Sequence, residues 1–112
     1  MDSQKKSFQI ETIALDDLID GEIDFLKIDI EGAETDVLLS SKKLDQVNQM
    51  FIEYHSFYDS DQKLSQLLEV LSENRFRYYI QEIFCPNKPF LKKESFNGMD
   101  LQLNIFAIKN VE

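Results

Sequence analysis

The sequence holds no tryptophan, one cysteine, one histidine, two prolines and three glycines in 112 residues. Each shortage removes a class of explanation. A lone Cys85 cannot close an internal disulfide, so the fold is not a disulfide scaffold, and a reducing, cytoplasmic setting is expected. Cys85 has no neighbouring His or Cys to complete a metal site and no base to activate a thiolate, so it reads as structural or incidental. The glycines, Gly21, Gly32 and Gly98, are isolated, which leaves no Gly-x-Gly turn to cradle a nucleotide-like cofactor. Basic residues are outnumbered, 12 against 21 acidic ones, for a formal net charge of -9. They cluster only in pairs such as Lys5-Lys6, Lys42-Lys43 and Lys92-Lys93, so neither nucleic acid nor an anionic membrane is expected as a partner. No apolar run is long enough to span a bilayer. Met1-Asp-Ser-Gln-Lys-Lys6 has no apolar stretch behind it, so no signal peptide is expected.

What is present suits one small globular domain over residues 1–112. The chain is 43% hydrophobic and 29% charged, with neither repeats nor low-complexity stretches. Strands and helices alternate along it. Ser7 to Ala14 alternates apolar and polar residues as a half-buried strand does, and Leu15 to Ile19 makes a short helical turn ending near Gly21. Ile23 to Ile30 predicts a strand with Leu26, Ile28 and Ile30 on one face and Phe25, Lys27 and Asp29 on the other. Glu34 to Ser41 predicts a helix with Val37 and Leu38 inward, and Met50 to His55 a second strong strand. About eighteen residues separate the two strands, enough for a crossover helix and a parallel βαβ unit. Asp59 or Ser60 can cap a longer helix running to about Asn74, whose Leu64, Leu67, Leu68 and Leu71 form one stripe. Arg77 to Phe84 and Leu101 to Lys109 predict two further strands, antiparallel at a sheet edge, joined by a long loop over Cys85 to Asp100.

In open α/β sheets, ligands sit at the carboxyl ends of the parallel strands. One such end carries Asp29, Glu31, Gly32 and Glu34, the other Glu53, Tyr54 and His55. Parity puts Lys27, Asp29 and Glu31 on one face of their strand, and Glu53 and His55 on one face of theirs. If the strands are neighbours, Lys27 pairs with Glu53 and Asp29 approaches His55. A histidine beside a carboxylate makes a general base, able to take a proton from an attacking hydroxyl. Each residue also has a plainer reading. Lys27–Glu53 is a structural ion pair on burial logic, Glu31 and Glu34 suit the positive end of a helix dipole, Gly32 is a hinge, and His55 is a strand-end histidine. Asp29, Glu31 and His55 could hold a metal only if all three converged, and none is assigned.

Leu15-Asp-Asp-Leu-Ile19, then Ile23-Asp-Phe-Leu-Lys-Ile-Asp-Ile-Glu-Gly-Ala-Glu34 and Val37-Leu38-Leu39, resemble the FkbM methyltransferase signature. Phe51-Ile-Glu-Tyr-His55 resembles that family's next strand, and the likeness runs from about Thr12 to Lys109. It implies an α/β fold, the C-terminal half of a Rossmann-like class I methyltransferase, with a mixed sheet, a parallel βαβ core and an antiparallel C-terminal strand pair. It also implies S-adenosylmethionine as donor and O-methylation of a small molecule or glycan. By carry-over, Asp29, Glu31 and His55 are the catalytic candidates, and Gly32, Glu34 and Glu53 the cofactor-binding ones. The family's Gly-rich turn and ribose-binding acid have no counterpart ahead of the Ser7 strand, so an incomplete donor pocket is expected. The alternative is a non-catalytic remnant that binds or dimerises through an exposed sheet edge, so a homo-oligomer or a complementing N-terminal half would be its partner.

Overall fold

The computed structural model describes residues 5–8, 15–29 and 31–110. Its elements are β1 (Lys5–Phe8), β2 (Ile23–Ile28), α1 (Glu34–Ser40), β3 (Val47–Phe57), α2 (Leu64–Glu73), β4 (Phe76–Phe84) and β5 (Met99–Lys109), with 3-10 turns at Leu15–Asp17 and Leu44–Gln46. The strands form one sheet in the order β1-β2-β3-β5-β4. β1, β2 and β3 run parallel, and β5 runs antiparallel to both β3 and β4. The fold is thus mixed α/β, with α1 as the crossover of a β2–α1–β3 unit. The strand expected over residues 7–14 coincides with β1 only at Ser7 and Phe8. Residues 9–14 and Ile30 lie outside the described residues.

The alternation of the strands explains where the core sits. Leu26 and Ile28 of β2, Met50, Ile52 and Tyr54 of β3, and Leu103, Ile105 and Ala107 of β5 are all buried. The registers Leu26↔Met50, Ile28↔Ile52, Met50↔Ala107, Ile52↔Ile105 and Tyr54↔Leu103 lay them in rows across one face. α1 covers that face with Leu38, and α2 with Leu67, Val70 and Leu71. Removing such a face from water is the main source of stability in a chain this small. The opposite face carries Lys27, Phe51, Phe106 and Ile108, with Phe51 and Phe106 packed at 5.1 Å.

Of the two boundaries of α2, the start differs from expectation and the end matches it. α2 begins at Leu64, not at Asp59 or Ser60, and no side chain of its own segment caps it. The hydroxyl of Tyr54, on β3, instead accepts a hydrogen bond from the Lys63 N–H at 3.0 Å, so the sheet itself satisfies a donor at the helix start. At the other end Asn74 terminates α2, its side-chain amide donating to the Val70 carbonyl at 2.9 Å.

The leucine-aspartate turn acts as a strap. Asp16 accepts from the Ser41 hydroxyl at 2.5 Å and from the Lys42 N–H at 2.7 Å, tying the turn to the end of α1. Burial alone would raise the Asp16 carboxyl, but those hydrogen bonds and the Lys43 ammonium outweigh it and hold the carboxyl below its ordinary 3.8. A depressed carboxyl stabilises the fold above its unfolded value and loses that contribution as pH falls through the folded one. Because solvent screens this partly exposed carboxylate, Asp16→Asn is expected to cost about 0.5–1 kcal/mol at neutral pH. The difference from the parent chain should shrink below about pH 3.8. Urea melts at pH 7 and pH 3 measure both; a gap that stayed constant with pH would exclude the strap.

Candidate functional site

The carboxyl ends of β2 and β3 lie side by side, and their register decides which side chains meet. Lys27 stands opposite Phe51 and Ile28 opposite Ile52. The expected Lys27–Glu53 ion pair is therefore off by two residues. Lys27 holds its ammonium 5.9 Å from the centre of the Phe51 ring, and no ion pair between it and Glu53 occurs among the described residues. The register instead brings Asp29 level with Glu53. Asp29, Glu53 and His55 converge, each offering one ligand atom within 4.8 Å of the other two. The expected approach of Asp29 to His55 is thus present, with Glu53 completing the group in place of Glu31.

Beyond β2 the chain turns sharply. Glu31 and Gly32 both have positive φ, 35° and 96°. A Cβ on Gly32 would stand 3.3 Å from the Phe57 ring, so both backbone and space favour glycine there. Glu31, a non-glycine residue in this region, is exposed at the rim.

The turn delivers Glu34 inward. Glu34 is 1% exposed, and both carboxylate oxygens are engaged. Oε1 accepts from the Gly32 N–H at 2.7 Å, while Oε2 accepts from the His55 N–H at 2.7 Å and lies 3.1 Å from His55 Nδ1. Glu34, read from the resemblance as a cofactor-binding candidate, is sealed beneath the site and holds His55. Backbone N–H groups can only donate, so both Glu34 oxygens are acceptors and the hydrogen of the third contact belongs to Nδ1. In the neutral ring Nε2 then carries the lone pair. It points toward Glu53, whose Oε1 is 3.9 Å away, beyond hydrogen-bonding distance.

His55 is fixed from the other side as well, its ring stacked on that of Phe57 at 6.2 Å between centres. Burial would lower the pKa of this imidazole, but the hydrogen bond and charge of Glu34, with the charges of Asp29 and Glu53, raise it above the ordinary 6.5. Two openings flank the ring. One of about 250 Å³ runs along Gly32, Thr35, Tyr54 and Lys63. The other, of about 300 Å³, is lined by Asp29, Glu53, Phe96 and Gln102, and Glu31, His55 and Phe57 border both. Burial pushes the Tyr54 hydroxyl above its ordinary 10.0, so it serves the first opening as an uncharged hydrogen-bonding group.

A family model, the methyltransferase FkbM domain, matches residues 2–78. The chain belongs to the FkbM methyltransferase family. The match takes in every residue of the Asp29–Glu34 turn and the Glu53–His55 strand end, but stops early in β4, short of the expected reach to Lys109. No curated protein and no solved structure matches the chain. Gln102 and Phe96, which wall the second opening of this FkbM chain, lie outside the matched residues and carry no sequence signal of their own; the β3–β5 register, His55↔Gln102, brings Gln102 to the site, and a bridge to Met99 brings Phe96.

Proposed function

We propose that this FkbM chain forms the acceptor side of an S-adenosylmethionine-dependent O-methyltransferase site, built on a Rossmann-like frame and working in the cytoplasm on a small-molecule or glycan hydroxyl. The observation that carries this reading is His55, a buried imidazole whose Nδ1 is held by Glu34 and whose Nε2 faces an opening at the ends of two parallel strands.

The residues present suit the cationic end of the donor. Asp29, Glu53 and, at the rim, Glu31 offer carboxylates to a sulfonium, and Phe57 offers a ring face to the same charge. The 250 Å³ opening beside Gly32 is smaller than the ~300–1,000 Å³ usual for small-molecule sites. The sequence holds no Gly-x-Gly turn to offer the adenosine end. When bound, S-adenosylmethionine supplies an electrophilic methyl group. His55 Nε2 takes the proton of the acceptor hydroxyl, Glu34 stabilises the imidazolium that results, and Asp29 and Glu53 orient the hydroxyl between them.

Calorimetric titration of the chain with S-adenosylmethionine tests the reading. Saturable binding that weakens when Glu53 is changed to Gln is the expected result. Absence of heat up to millimolar donor would exclude methyl transfer by this chain on its own.

A further inference from the structure

The triangle of Asp29, Glu53 and His55 has a geometry that proton transfer alone does not require. Three ligand atoms within 4.8 Å of one another leave a point no more than about 2.8 Å from each, so small side-chain rotations bring all three to the ~2.0–2.2 Å of a divalent first-row metal. Acidic residues at a strand end often meet without any such purpose, and two independent observations separate this case. The His55 side chain is only 6% exposed, yet its Nε2 has no hydrogen-bond partner among the described residues; it lies 3.9 Å from Glu53 Oε1, and Asp29 offers an oxygen to the same cluster. Behind the ring, the buried Glu34 accepts from Nδ1, fixing the tautomer in which Nε2 presents its lone pair. A carboxylate backing the far nitrogen in this way is the recurrent support of a metal-ligating histidine, which it orients and makes more basic.

We propose that Asp29, Glu53 and His55 Nε2 bind one divalent cation of the Mn²⁺ type. Two carboxylates balance the charge of such an ion, and the single imidazole favours a first-row metal over Ca²⁺, which takes six to eight oxygen ligands. Three protein ligands leave coordination positions open toward the 300 Å³ opening, where water or the hydroxyls of an acceptor can enter. Proton and cation compete for the same lone pair. With the ion held by Nε2, the ring is no longer free to take a proton, and an acceptor hydroxyl bound to the ion gives its proton to solvent water. This last consequence rests on the methyl-transfer reading; binding of the ion does not.

The chain has one histidine, so its ring resonances are unambiguous, and the experiment needs no methyl donor. Mn²⁺ is titrated into the full chain, with free ion followed by electron paramagnetic resonance and the ring protons by NMR. One ion bound per chain is expected, with the His55 signals broadened away at substoichiometric metal. Asp29→Asn and Glu53→Gln should each weaken binding at least tenfold and let the ring signals persist, whereas Glu82→Gln, an exposed carboxylate on β4, should change neither. Both carboxylates are only partly buried, and circular dichroism verifies that these variants fold. Absence of saturable binding would overturn the proposal. So would binding that leaves the His55 ring unbroadened or ignores both substitutions, because the ion would then sit elsewhere on an acidic surface. A chain that binds Mn²⁺ in this way but fails to bind S-adenosylmethionine would keep the metal site and lose the methyl-transfer reading.

Discussion

Replacing Glu34 by alanine is expected to destabilise the fold by about 3–5 kcal/mol, the range for breaking a buried charged pair from one side. The carboxylate is 1% exposed and receives three hydrogen bonds, from the N–H groups of Gly32 and His55 and from Nδ1 of His55. Alanine leaves all three donors facing a cavity, and each buried donor without an acceptor costs about 1–3 kcal/mol. For a domain near this size the melting temperature should drop by roughly 10–20 °C. Glu34→Gln keeps one acceptor oxygen, which can serve only part of the set, so its loss should fall between those of the parent and the alanine variant. Differential scanning calorimetry decides it. A Glu34→Ala protein that melts within a few degrees of the parent would mean the carboxylate does not bind the β2–α1 turn to the end of β3.

His55→Ala is expected to act on turnover more than on stability. Without the ring, Glu34 still accepts the two backbone N–H bonds, so the link between the turn and β3 survives. What disappears is the imidazole that converges with Asp29 and Glu53, and loss of a positioned general base lowers turnover by roughly 10²–10⁴-fold. In any preparation that transfers methyl groups, kcat should fall while KM for the acceptor moves little, and the melting temperature should shift far less than in Glu34→Ala. An unchanged kcat would remove His55 from the chemistry and leave it as packing beside Phe57.

These effects depend on contacts that were unequally legible in the sequence. Alternation in Ile23–Ile28 and the stripe of Leu67 and Leu71 announced β2, α2 and the buried face, because burial imposes those periods directly. β3 is longer than Met50–His55, extending to Val47 and Phe57. The buried Val47 adds to its start, and the register shift at Ser56/Phe57 carries its end toward Met99. The parity of Glu53 and His55 could be read, but their level against β2 could not. Parallel register is set by how α1 and the Leu44–Gln46 turn pack back onto the sheet, so the expected Lys27–Glu53 pair slid to place Asp29 beside Glu53. Glu34 was the least legible. At a helix start an acidic residue ordinarily serves the helix dipole from the surface. Only the positive-φ pair Glu31-Gly32 swings this one inward, to a partner 21 residues away.

The proposed base and the proposed metal ligand both depend on the state of one ring. A two-bond ¹H–¹⁵N NMR spectrum of the chain, taken without metal at a pH high enough for the imidazole to be neutral, observes it directly, since His55 is the sole histidine. The Glu34 contact predicts a single tautomer, with Nδ1 protonated and Nε2 bare, and predicts that Glu34→Gln relaxes this preference. A parent chain with its proton on Nε2, or with the two tautomers freely mixed as in an exposed histidine, would contradict the arrangement on which both the proposed base and the proposed metal ligand depend.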